Sequence, residues 1–233
     1  MWLIDSSIGR KLIMSITGVF LVLFLLFHGT MNFVVLFSTE AYNAICEFLG
    51  ANWYALVGTK ILAIGFVVHI IYAIYLTFQN RKARGNVSYA VSKNQKSVEW
   101  ASQNMLILGA IVLGFMALHL YQFWAKMQLV EINHKLGCSV DENLMNTAAN
   151  GAYWIKYYFS QPLYSALYVV WLVALWFHLT HGVWSALQSL GLNNNTWMPR
   201  VKIISNIISS LIILMFISIP VYFLLGGGNN WIV

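Results

Sequence analysis

The sequence predicts an all-α membrane protein, a bundle of five transmembrane helices, and three observations carry that prediction. Of its 233 residues 60% are hydrophobic and only 9% are charged, with a mean hydropathy of +0.70; soluble domains carry about 25% charged residues. The apolar residues form continuous runs of about 20, the length a helix needs to cross a hydrocarbon core. They lack the alternation of barrel strands. Proline occurs only at Pro162, Pro199 and Pro220, so little interrupts the runs. Residues 1–233 read as a single transmembrane domain.

Residues 1–11 are expected to form a short amphipathic lead-in, with Trp2 and Ile4 at the interface. The run behind Arg10 and Lys11 is too long for a signal peptide and has no small-residue cleavage site. Spans are expected at about 12–37, 57–78, 104–124, 161–187 and 202–225. Between the first two, residues 42–49 can form a short interfacial helix. Residues 127–158 are the longest polar connection. Gly226, Gly227 and Gly228 end the fifth span, because three glycines hold no helix well.

Five spans put the termini on opposite sides, and charge decides which is which. Arg10, Lys11, Arg81, Lys82, Arg84, Lys93, Lys96, Arg200 and Lys202 fall on the N-terminal side, and Lys60, Lys126, Lys135 and Lys156 on the other. Positive residues stay inside, so the N-terminus is expected in the cytoplasm and the C-terminus outside. The same rule accounts for the net charge of +6 without a nucleic-acid partner. Trp53, Trp100, Trp124, Trp154, Trp197 and Trp231 sit near span ends, as an interfacial belt requires. Cys46 and Cys138 belong to no metal or haem-attachment motif, which argues against an iron–sulfur centre in this chain. Both fall on the outer side, where a disulfide between them is one option.

Histidine is the informative residue. His134 lies in a polar loop, whereas His28, His69, His119, His178 and His181 lie inside spans, where ionisable groups are costly and usually functional. Depth sorts them. At about 1.5 Å per residue His28 stands about 24 Å above the inner end of its span, and His119 is at nearly the same height. His69 and His178 each stand about 14 Å up. Two levels, each with two histidines on different helices, are the arrangement that bis-histidine haem needs. Two such groups about 10 Å apart in height make a route for electrons through the bilayer. Filled axial positions favour electron transfer over oxygen chemistry. Gly18, Gly65, Gly109, Gly114 and Gly182 offer room for a flat macrocycle beside the helices. His181 shares a face with His178 and lies about 4.5 Å nearer the inner surface. It is a candidate propionate or quinone partner, or a simple interhelical hydrogen bond.

These features resemble the dihaem cytochrome b membrane anchor of succinate dehydrogenase and fumarate reductase, the single-subunit five-helix type. The marks are Ser15-Ile16-Thr17-Gly18 ahead of His28, Leu118-His119-Leu120-Tyr121, and His178 four residues before Gly182 with Gly191 beyond. One ligand on each of the first four spans is the specific part. The resemblance implies His28 and His119 as iron ligands of an outer haem b, and His69 and His178 as those of an inner one. It selects His178 over His181. It further implies menaquinone as substrate, and a flavoprotein with FAD and an iron–sulfur subunit as cytoplasmic partners. The dicarboxylate site would lie on the flavoprotein, and the setting would be a bacterial inner membrane. A dimer of the whole complex is compatible with such an assembly. The basic stretch 81–96 is a candidate docking surface.

Quinone chemistry needs a proton-exchanging group near a haem. No Asp or Glu lies within a span, so the candidates are Glu47 first and Glu40 second, both in the loop after the first span. Where some relatives carry a glutamate two residues before the fourth ligand, this chain has Trp176. Two other readings compete. The cytochrome b of a formate dehydrogenase or hydrogenase usually has four spans and a different ligand distribution. A histidine-using transporter would carry polar partners and broken helices at a midplane site.

Overall fold

A computed structural model describes residues 6–84, 100–228 and 231 of the chain. All regular structure among the described residues is helical, and five helices are long and apolar enough to cross a membrane. The chain has the architecture of a multi-pass membrane protein. The elements are α1 (Ser7–Phe33), α2 (Thr39–Phe48), α3 (Trp53–Arg84), α4 (Trp100–Gln103) and α5 (Met105–His119). They continue as α6 (Gln128–Lys135), α7 (Glu142–Thr147), α8 (Gly151–Phe159), α9 (Pro162–Ser189) and α10 (Trp197–Leu224). The spans are α1, α3, α5 with the turn that follows it, α9 and α10.

The expected lead-in is corrected from Ser7 onward, where the backbone is already helical. Ser6, in an extended conformation, accepts a hydrogen bond from the Gly9 N–H at 2.9 Å and starts α1 there. That cap satisfies one of the orphan amides of a first turn, so Arg10 and Lys11 ride on the helix. Trp2 and Ile4 lie outside the described residues. The short loop helix runs from Thr39, because Ser38 caps it through the Ala41 N–H. The expected 127–158 connection folds into α6, α7 and α8. Pro162 occupies the first turn of α9, where a missing N–H costs nothing. At the ends of α9 and α10, Gly191 (φ +106°) and Gly226 (φ +85°) take the left-handed conformation. The next N–H groups, of Leu192 and Gly227, then bond back to the carbonyls of Leu187 and Tyr222.

Helices α1 and α9 form the centre. α9 packs along α10, α1 and α5, while α3 packs chiefly on α1. Ser205 and Ser209 of α10 and Ser165 of α9 are fully buried, as small residues at close helix contacts in membranes are. α3 presents Val57, Ile61, Ile64, Ile71, Ile74 and Phe78 outward at helical spacing, a stripe fit for lipid.

At the loop-rich end the short helices lock together through polar side chains. Asn43 donates to Asn150 Oδ1 and accepts from the Ala152 N–H, both at 2.9 Å. Glu131 accepts from the Ala51 N–H at 2.6 Å, and Gln128 Oε1 accepts from Thr59 and Trp124. Cys46 and Cys138 are free thiols, and burial pushes the Cys46 thiol up to about 11.

Candidate functional site

Four of the five intramembrane histidines meet in two facing pairs. His28 of α1 faces His119 of α5, with ring centroids 6.0 Å apart and ring planes at 83°. His69 of α3 faces His178 of α9 at 6.5 Å and 69°. These are the two pairs expected from depth. They occupy separate levels: Trp171 packs on His119 at 5.7 Å, and His178 lies seven residues further along the same helix, about 10 Å away.

Aromatic rings in direct edge contact also fall at such separations, so the surroundings have to discriminate. A metal–nitrogen bond of about 2 Å on each side, with about 1.2 Å from nitrogen to ring centre, places two axial imidazoles about 6.4 Å apart. Both pairs match that span. The Nδ1 atoms of His119 and His178 are buried without a hydrogen-bond partner among the described residues, so no protein group ties up either ring there. Room is also present. A Cβ added at Gly114 or Gly182 would meet nothing within 4 Å, and at Gly18 and Gly109 it would approach only His69 and His178, at 3.6 and 3.8 Å. Gly65 departs from the expectation, since the Phe20 ring fills the space beside it, 2.7 Å from an added Cβ. The residues present therefore fit two bis-imidazole groups.

Sequence reasoning missed the groups that surround the pairs. Thr17 Oγ1 lies 3.3 Å from His69 Nδ1. Asn32 donates to the His28 carbonyl at 2.8 Å and accepts from the Tyr42 hydroxyl at 2.9 Å, which ties α2 to the histidine level. His28 is flanked by Phe24 and Phe216, and His119 by Phe123, Tyr168 and Trp171. Directly after His119 the helix widens into a π-turn, Leu120–Trp124. The turn carries Gln122 into the core at 1% exposure, where its Oε1 accepts from the Tyr168 hydroxyl at 2.7 Å. A π-turn is a frequent companion of functional sites. The signal for Gln122 was its polarity three residues after a ligand candidate.

The remaining candidates stand apart from the pairs. His181 packs edge-on against Trp184 at 4.8 Å, and His178 takes the place opposite His69. Glu40 and Glu47 are both exposed on α2. The α2 N-terminal amides and the Ser38 hydroxyl hold the Glu40 carboxyl below its ordinary range. Trp176, in place of a glutamate, donates to Ser210 of α10 at 3.0 Å. Arg81 and Lys82 are exposed at the end of α3, and Lys93 and Lys96 lie outside the described residues.

No family model matches the sequence, and no solved structure matches it significantly. A curated protein does: the succinate dehydrogenase cytochrome b558 subunit of Bacillus subtilis (strain 168), 25% identical over 201 residues, which is 85% of this chain and 86% of the relative. The match covers most of both chains. Over most of its length, the chain is similar to a succinate dehydrogenase cytochrome b membrane subunit.

Proposed function

We propose that the chain is the membrane anchor and quinone-reactive dihaem cytochrome b subunit of a succinate dehydrogenase or quinol:fumarate reductase complex. It passes electrons between menaquinone and an iron–sulfur subunit. The observation that carries the reading is the pairing of four histidines from four helices into two facing couples, 6.0 and 6.5 Å apart.

In this reading His28 and His119 hold the iron of the outer haem b, and His69 and His178 that of the inner one. When bound at these couples, haem b would supply one-electron transfer chemistry. The chain's residues orient and insulate it. The aromatic shell of Phe24, Phe123, Tyr168, Trp171 and Phe216 excludes water from the outer pair. The small residues at 18, 109, 114 and 182 leave the space a macrocycle takes. His181, one turn from His178, is assigned to a propionate or quinone contact. Glu47 is the first candidate for the acid that exchanges protons with quinone. Glu40, on the same short helix, is second.

The distribution of positive residues supports a cytoplasmic N-terminus and an external C-terminus in a bacterial inner membrane. The flavoprotein with FAD and the iron–sulfur subunit then dock on the N-terminal side, where Arg81 and Lys82 are exposed. Dicarboxylate chemistry belongs to the flavoprotein.

The test is a reduced-minus-oxidised optical spectrum of the purified complex and two variants. Wild type should show b-type absorption with two redox transitions. His178→Ala should lose one transition, and His181→Ala should keep both. Absence of b-type absorption from wild type overturns the reading. A loss in His181→Ala with none in His178→Ala reverses the ligand assignment.

A further inference from the structure

The four paired histidines differ in what surrounds Nδ1. An imidazole that binds metal through one nitrogen carries its proton on the other, and an acceptor there fixes ring orientation and raises ligand basicity. At His119 and His178, Nδ1 has no partner. At His28 the neighbour is Asn32 Nδ2, 3.3 Å from Nδ1. That group also donates to the His28 carbonyl, which can only accept, so the amide turns its N–H side to the histidine and offers no acceptor. Among the described residues, His69 alone of the four meets an oxygen at Nδ1, Thr17 Oγ1 at 3.3 Å on the adjoining α1.

The direction of that bond follows from the other bonds of Thr17. Its hydroxyl has one proton, shared by the carbonyls of Ile13 at 2.9 Å and Met14 at 3.0 Å within the same helix. The oxygen lone pairs remain, and they can only accept. His69 Nδ1 is then the donor, and Nε2 keeps its lone pair. Gly18, beside Thr17, removes the side chain that would otherwise press on the same ring, since an added Cβ would sit 3.6 Å from His69 Cε1.

We infer that Thr17 is the positioning residue of the inner couple: it accepts the His69 Nδ1 proton, fixes the tautomer that leaves Nε2 for iron, and strengthens that one ligand electronically. The inference rests on the dihaem reading above. A more basic axial ligand favours the ferric state, so Thr17 holds the inner midpoint potential lower than it would otherwise stand. The outer couple has no such acceptor, and the two levels are made electronically unequal by one hydroxyl.

The experiment is a potentiometric titration of the purified complex, read at the b-type band, for wild type, Thr17→Val, Thr17→Ser and His178→Ala. His178→Ala marks the inner transition as the one it loses. Thr17→Val keeps the shape and removes the acceptor. It should shift the inner transition upward, or lose it, and leave the outer transition in place. Thr17→Ser restores a hydroxyl and should restore the wild-type value. Unchanged potentials in Thr17→Val, equal shifts in Val and Ser, or a shift confined to the outer transition each overturn the inference. A wild type with no haem, or with a single transition, instead overturns the dihaem reading on which it stands.

Discussion

Gln122 shows how much a single polar side chain can do beside the outer couple. Its amide is buried at 1% exposure and supplies the acceptor for the Tyr168 hydroxyl, which packs against His119. Replacing it by leucine leaves that hydroxyl unpaired in the core, a loss of about 1–3 kcal/mol. Gln122→Leu should lower the thermal midpoint of the complex and disturb only the transition assigned to the outer haem. A melting curve and redox titration identical to wild type would show that the Gln122–Tyr168 bond has no such role. The histidines themselves were legible in the sequence, because an ionisable residue in an apolar run stands out. Thr17 was legible in part. It precedes His28 by 11 residues, close to three helical turns, so it shares that face about 16 Å lower, on the same side of His28 as the His69 level. Its role was not legible, because that depends on the spent hydroxyl proton and on α3 lying against α1.

Among the elements, α9 carries the organisation. It runs between α1, α5 and α10 and brings Trp171 to one histidine level and His178 to the other. Its neighbours at the loop-rich end are held by side-chain bridges, of which Asn43 is the hinge pin between α2 and α8. Asn43→Ala leaves the Ala152 N–H unpaired at a residue with 0% exposure, and should destabilise the docked pair by about 1–3 kcal/mol. A lower thermal midpoint with both haem transitions retained is the expected result; an unchanged midpoint would remove the bridge from the account. Every span was placed by its apolar run, yet α3 exceeds its expected limits by several residues at both ends and α10 begins five residues early. Hydropathy registers the lipid-facing length of a helix and is blind to backbone that continues into water. Pro199 falls in the first turn of α10, where proline is tolerated. The π-turn after His119 had no sequence signal, because nothing in Leu120–Trp124 distinguishes a widened turn from an ordinary one.

Among the described residues the histidine couples join helices that share few other contacts. α3 packs chiefly on α1, yet its His69 meets His178 of α9. A group held between them would therefore clamp a peripheral helix to the centre. The depth of each histidine, computed from rise alone, was enough to pair them, since straight spans of similar length keep residues of equal height together. Which of His178 and His181 points inward needed the rotation of α9 about its axis, which depth cannot supply.

The number of haems per chain tests the central claim most directly. A pyridine haemochrome assay on the purified complex, set against protein quantified by amino-acid analysis, should give two haem b for each copy of this chain. One would mean that one couple is only a ring contact, and none would contradict the account altogether.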